Sequence, residues 1–251
     1  MDMIKLAHKT MMSEEKPDEA GKLRDKQLIL QKVFSSSFIE FNPPNPNEMT
    51  TALNDLVKYF SDECEYDALI KIALIYYQLL TIYPFTEGNG RICRIIANQL
   101  FVEKLLIPQP FLCLSYYISL NESEYHKAIE QVRNNHNGYM PWIRFFVKAV
   151  VIAAEKSIDI LTRLQKLRDS DLMKIKLLEK PSPVVLRVYE QIWKTPIIET
   201  RHIAADLELS YNTVVKAVDT LLSLNILRQI GEKKRYRRYA YTDLLEIFKH
   251  I

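Results

Sequence analysis

The sequence predicts a mainly α protein: a helical bundle carrying a short β-hairpin, followed by a smaller helix-turn-helix segment. Three observations lead there. Glycine is scarce, 5 of 251 residues, about 2% against a usual share of about 7%, which disfavours barrels and sandwiches built on many tight turns. Apolar residues recur at three- and four-residue spacing along most of the chain. Pro/Asn-rich punctuation interrupts that pattern at Asn42-Pro43-Pro44-Asn45-Pro46-Asn47 and at Pro181-Ser182-Pro183, where chains turn or change domain.

The elements follow in order. Met3, Ile4, Ala7 and Met11 predict an opening helix that ends before Pro17. Residues 27–41 alternate loosely and are rich in β-branched and aromatic side chains, a short hairpin. Asn47 is a candidate cap for a helix with Met49, Leu53, Leu56, Val57 and Phe60 on one face. Tyr66 to Tyr83 is apolar on nearly all sides and reads as a central helix. The next helix begins near Arg91 and ends before Pro108. Further helices fit 122–134 and 140–165, the second with Trp142, Phe145, Phe146 and Val150 inward. The expected domains are 1–165, a charged helical connector 166–180, and 181–251.

Composition narrows the function classes. Hydrophobic residues make up 48% and charged residues 26%, the balance of a soluble globular protein. No run of about 18 uncharged apolar residues predicts a membrane span, and the opening lacks the apolar stretch of a signal peptide. Cys64, Cys93 and Cys113 are odd in number and far apart, which excludes a disulfide framework and suits a reducing, cytoplasmic setting. The five histidines form no close pair at metal-ligand spacing. Charge is uneven. Residues Pro181–Ile251 hold 11 Lys+Arg against 8 Asp+Glu, a net +3 equal to the whole-chain excess of 34 over 31.

The most informative stretch is Tyr83-Pro84-Phe85-Thr86-Glu87-Gly88-Asn89-Gly90-Arg91-Ile92-Cys93-Arg94, between two helices. Gly88 and Gly90 allow positive φ and a close backbone approach to a ligand. The backbone N–H groups that open the second helix suit phosphate. Arg91 and Arg94 stand three apart in its first turn. Cations are unfavourable there because the helix dipole is positive, so a bound polyanion is implied. Glu87 is an oxygen ligand of the kind Mg²⁺ accepts beside phosphates. Glu87, Gly88, Asn89, Gly90, Arg91 and Arg94 together predict a cradle for a Mg–nucleoside triphosphate.

These residues resemble the signature of the Fic (Fic/DOC) family, His-Pro-Phe-x-[Asp/Glu]-Gly-Asn-Gly-Arg-x-x-Arg, at every position but the first. Gly21-Lys22-Leu23-Arg24 and the hairpin, about 27–44, are similar to the family's flap. Leu114 to Ile118, Tyr125 and Trp142 are similar to the rest of its helical core. The resemblance implies AMP transfer from ATP, with Mg²⁺, to a Ser, Thr or Tyr hydroxyl of a target protein. Glu87 would hold Mg²⁺ and Gly88–Gly90, with Asn89, would form the anion hole. Arg91 and Arg94 would take the β- and γ-phosphates. The 28–40 flap would hold the target segment by strand addition.

Two departures matter. The family's base is the motif histidine, and here Tyr83 stands there. Histidine titrates at about 6.5 and tyrosine at about 10, so about one phenol in a thousand is ionised at pH 7. Two readings remain: an impaired adenylyltransferase with Tyr83 and Asn89 at its catalytic positions, or a catalytically inactive nucleotide-binding regulator. Many relatives also carry an inhibitory [Ser/Thr]-x-x-x-Glu-[Gly/Asn] helix, and no such motif precedes Gly21. Thr10-Met11-Met12-Ser13-Glu14 has the spacing but is followed by Glu15.

The last seventy residues have the order of a winged helix-turn-helix, a domain that similar proteins often carry. A helix is expected over 197–207, a turn with Ser210 as cap, and a second helix over 211–224. Two strands are expected near 226–230 and 236–241. Tyr211, Asn212 and Lys216 would lie at the start of the second helix, where base edges are read. Lys233, Lys234, Arg235, Arg237 and Arg238 form a basic tip suited to DNA phosphates. The same fold also serves protein docking or homodimerisation. The expected partners are therefore a target protein, with DNA or a second copy through 181–251, and no membrane.

Overall fold

The computed structural model describes residues 1–34, 37–62, 66–134, 138–178, 182–231 and 237–249, with the side chains of 31–34 and 37–40 left aside. It divides into two compact units, Met1–Glu155 and Lys156–Ile251. Cys64 and the tip residues Lys233, Lys234 and Arg235 lie outside the described residues. Among those described, no helix is long and apolar enough to cross a membrane.

The first unit holds α1 (Asp2–Met12), β1 (Leu30–Phe34), β2 (Ser37–Phe41), α2 (Pro46–Ser61), α3 (Ala68–Ile82), α4 (Asn89–Glu103), α5 (Leu114–Leu120), α6 (Glu122–Asn134) and the start of α7 (Met140–Lys176). β1 and β2 pair antiparallel, Leu30 opposite Phe41 and Phe34 opposite Ser37, so the expected hairpin is present. Helix α2 starts two residues earlier than Asn47 suggested. Asn45 is its N-cap and accepts from the N–H groups of Asn47 and Glu48, while Glu48 answers to the Asn45 N–H. This capping box, with Pro46 at the first helical position, satisfies donors that Asn47 could not reach.

The apolar α3 is the centre of this unit. Ile72, Ala73, Ile75, Tyr76, Tyr77, Leu79 and Ile82 are all buried, and α4 packs along it. Fully buried Trp142 donates from Nε1 to the Ala73 carbonyl at 2.7 Å. Buried Lys71 donates to the Phe60 carbonyl at 3.2 Å and to that of Asp62, the carbonyl-rich end of α2 where a cation is favoured. Asn98 both donates to and accepts from the Leu112 backbone, at 3.1 and 2.8 Å, which pins the long loop after α4.

The second unit holds the rest of α7, then α8 (Pro183–Lys194), β3 (Ile197–Glu199), α9 (Thr200–Asp206), α10 (Tyr211–Ser223), β4 (Arg228–Ile230), β5 (Arg238–Ala240) and α11 (Thr242–Phe248). The sheet order is β3-β5-β4, antiparallel throughout. The expected helix over 197–207 divides, because its first three residues pair with β5. Ser210 caps α10 as expected, accepting from the Thr213 N–H. The segment read as a connector is not solvated throughout. Ile175 is buried in this unit's core, and Leu164, Leu167 and Leu172 pack against it. Buried Asp171 accepts a hydrogen bond from the Tyr241 hydroxyl and pairs with Lys174 at 2.8 Å.

Candidate functional site

The loop between α3 and α4 is built from its ends inward. Tyr83 ends α3 in the left-handed region, φ 51°, and its N–H donates to the Leu79 carbonyl. This is a place glycine usually takes, and it costs a side-chain-bearing residue about 1 kcal/mol. Arg24, buried at 4% exposure, holds the strained turn. Its Nε donates to the Tyr83 carbonyl at 2.8 Å, and its Nη atoms donate to the carbonyls of Lys26, Pro44 and Ile82. One guanidinium thus clamps both ends of the hairpin segment to the motif. Burial pushes its pKa down.

Gly88 is the N-cap of α4 at φ 75°. That positive φ is what calls for glycine; an added Cβ would lie 2.8 Å from Met11 Cε on α1, the movable end of a flexible side chain. Gly90 is helical, contrary to the expected positive φ, and lies against Arg94, whose Nη1 would be 3.4 Å from an added Cβ. Asn89 is 2% exposed. Its Oδ1 accepts from the Phe85 N–H at 3.0 Å and its Nδ2 donates to the Phe85 carbonyl at 2.7 Å. The carboxamide therefore braces the loop itself, and also hydrogen-bonds the Tyr83 side chain.

The expected ligands separate into two sets. Tyr83, Gly90 and Arg94 line a cavity of about 750 Å³, together with Leu30 and Phe41 of the hairpin and residues of α5 and α6. Glu87 and Arg91 face the segment after α1 instead. Arg91 makes a bidentate pair with Glu15, both contacts at 3.0 Å, and its Nη2 meets Met12 Sδ at 3.2 Å. Glu87 is paired with Lys16. Glu15 holds the Arg91 pKa up and Arg91 holds that of Glu15 down. Arg91 and Arg94 are about 300° apart around the helix at 100° per residue, near enough to share a face yet able to reach different neighbours.

Tyr83 is half-buried, and that burial raises its pKa above the ordinary tyrosine value; the Asn89 hydrogen bond opposes this more weakly. Phenolate is scarcer here than in water. Among the described residues, no three His, Cys, Asp or Glu side chains gather as around a metal ion. A lone carboxylate at Glu87 fits a Mg²⁺ that arrives on phosphates, since Mg²⁺ keeps waters and needs one or two carboxylates.

Several contributors carry no sequence signal of their own. His8, 2% exposed, stacks on Phe85 with centroids 3.7 Å apart. Its Nδ1 accepts from the Gly21 N–H at 2.9 Å and its Nε2 meets the Glu87 carbonyl at 3.2 Å. Arg133 lies against the Phe41 ring, 3.4 Å from its centroid, and with Glu122 and His126 completes the α6 wall of the cavity. On the second unit, Tyr211, Asn212 and Lys216 are exposed at the start of α10. Arg237 is exposed, and Arg238 pairs with Glu199 at 2.8 Å.

A helical unit in which a Gly-Asn-Gly loop opens a helix beside a hairpin-covered cavity defines a class, and comparison with known proteins agrees. Residues 1–101 match the model of the Fic/DOC family, and this part of the chain is a Fic/DOC domain. The chain is 31% identical over 104 residues to protein adenylyltransferase fic-1 of Caenorhabditis briggsae, covering 41% of this chain and 19% of that one. It is 28% identical over 159 residues to protein adenylyltransferase Fic of Nematostella vectensis, covering 63% and 33%. The match thus spans about a fifth to a third of these relatives' length. A Fic family protein from Desulfovibrio desulfuricans G20 superposes with TM-score 0.52 at 16% identity, over 94% of this chain and 67% of that one, a likeness of fold.

Proposed function

We propose that the first unit transfers AMP from Mg–ATP to a protein hydroxyl, slowly, because Tyr83 stands where the related signature has histidine. The observation that carries this reading is the shared cavity of Tyr83, Gly90 and Arg94 at the start of α4, beneath a hairpin clamped by Arg24. Arg94 and the first-turn N–H groups would hold the phosphates. Phosphoryl-type transfer depends mainly on such positioning and charge stabilisation. The Mg²⁺ travels with ATP and would take Glu87, displacing Lys16. The hairpin 28–40 would hold the target's backbone. The test is transfer of label from ATP to a lysate, beside Tyr83→His and Arg94→Ala. Tyr83→His should accelerate transfer by about 10²–10⁴-fold, the contribution of a well-placed base. Arg94→Ala should weaken ATP binding by about 1–3 kcal/mol, the scale of a charged hydrogen bond. No Mg–ATP binding by the wild type at millimolar ligand would overturn the reading.

The raised pKa of Tyr83 favours a second reading, a nucleotide-binding regulator without catalysis. Here the second unit acts as a winged helix, with Tyr211, Asn212 and Lys216 towards base edges and the basic tip on phosphates, or else docks a protein or a second copy. Binding of ATP with no transfer, even by Tyr83→His, would select it.

A further inference from the structure

The reacting hydroxyl needs somewhere to send its proton, and the cavity restricts the choice. Tyr83 is a phenol whose burial favours the neutral form. Arg94 and Arg133 have no acceptor. Gly90 contributes backbone alone, and Ser115, Ser119 and Tyr125 carry neutral hydroxyls. Of the described lining residues only His126 carries a side chain whose ordinary pKa lies near neutrality, and the Glu122 carboxylate is the other proton-accepting group. Both stand on α6 one turn apart. His126 Nε2 lies 3.8 Å from Glu122 Oε1, near enough for the carboxylate to stabilise an imidazolium. The imidazole meets the edge of Tyr125, centroids 5.1 Å apart at 78°. Tyr125 is itself buried, with its hydroxyl 3.4 Å from that of Tyr76 on α3, so the ring is backed by the core rather than swinging on the surface.

We propose that His126, with Glu122 beside it, is the proton acceptor for transfer in this cavity, in place of the residue at position 83. The proposal rests on the AMP-transfer reading. In the step, the target hydroxyl oxygen forms a bond to the α-phosphorus of ATP. The bond from that phosphorus to the oxygen leading to the β-phosphate breaks, and pyrophosphate leaves. The hydroxyl proton passes to an imidazole nitrogen of His126 and then to water, and no oxidant or reductant is needed. Among the described residues, the charged side chains that line the cavity with His126 are Glu122 and Arg133, also on α6, and Arg94 on α4, beside the Tyr83 phenol. Glu122 supports the protonated ring and the two arginines oppose it.

The experiment measures labelled-AMP transfer by the full chain from pH 5.5 to 9, with ATP binding followed by calorimetry for each variant. The wild-type rate should rise with pH through a single histidine-like inflection. His126→Gln should lower the rate about 10²-fold or more, the scale of a positioned base, and abolish the inflection while ATP binding stays within threefold. Glu122→Gln should shift the inflection to lower pH. The loss from His126→Gln should be at least tenfold smaller in a Tyr83→His background, where a second base is present, and a merely structural role would not give that difference. An unchanged rate and profile for His126→Gln, or ATP binding with no transfer by the wild type at any pH, would overturn the proposal and leave nucleotide binding standing. Absence of ATP binding would instead remove the AMP-transfer reading itself.

Discussion

His8 has its proton on Nε2, because Nδ1 accepts from the Gly21 N–H. Protonation would place a second N–H against that donor. Burial, the largest cause, and then the Arg91 charge together lower its pKa below 6.5. The folded protein therefore binds the proton less readily than the unfolded chain. Stability from this group is complete above about pH 6.5 and is lost as pH falls through the folded-state value. Denaturant unfolding at pH 7.5 and pH 5 should show a loss in the wild type, and His8→Gln should reduce that loss. An equal loss in both would place the sensitivity elsewhere. Glu15 and Lys16 are on the surface, where single ion pairs contribute little. Even so, they occupy the two side chains expected on phosphate and metal. Glu15→Ala should raise Mg–ATP affinity by roughly two- to fivefold, the range of exposed pairs. Calorimetry showing weaker binding would mean Glu15 orients Arg91 rather than competing for it.

The hairpin is held at its base by one side chain. Arg24 donates to four backbone carbonyls, and the Arg24 N–H donates to the Pro84 carbonyl at 3.0 Å. Removing a buried, multiply bonded cation strands those acceptors. Arg24→Ala should cost about 2–4 kcal/mol, and Arg24→Lys about half of that, since an ammonium cannot reproduce the planar fork. Thermal unfolding measures the cost, and protease cleavage within 30–41 should accelerate in step. Loss of under 0.5 kcal/mol would mean the hairpin is held by its apolar contacts. Helix α4 illustrates why boundaries are hard to read. It starts at Asn89, before the expected Arg91, because Gly90 is a poor helix former by propensity and is tolerated here beside Arg94. Strand β3 was hidden for a related reason: Ile197–Glu199 takes its form from pairing with Arg238–Ala240, forty residues away.

At the scale of the whole chain, the basic segment of the second unit should govern any DNA contact. Alanine at Lys233, Lys234, Arg235, Arg237 and Arg238 should flatten the dependence of log affinity on log salt, because each phosphate contact releases a counterion. Arg238 alone should contribute least, being paired with Glu199. Asn212→Ala should relax sequence preference with little change in that slope. Gel shifts of the full chain on mixed DNA at two salt concentrations decide it. No retardation at low salt would direct the search to a protein partner or a second copy.

By itself the sequence determined the helical class, the hairpin, the central helix α3 and the Gly-Asn-Gly loop opening α4. Each rests on periodicity, capping or glycine chemistry within a few residues, and local physics suffices for these. It also brought Tyr83, Gly90 and Arg94 into one expected site, since the helix pitch keeps such neighbours together. Only the tertiary structure decided what faces them. Glu15 and Lys16 reach Arg91 and Glu87 across more than seventy residues of chain, His8 stacks under Phe85, and α6 brings His126 and Glu122 to the cavity wall. These contacts depend on how α1 and α6 pack against the central helices, and packing is set by the shape of a core no local pattern encodes.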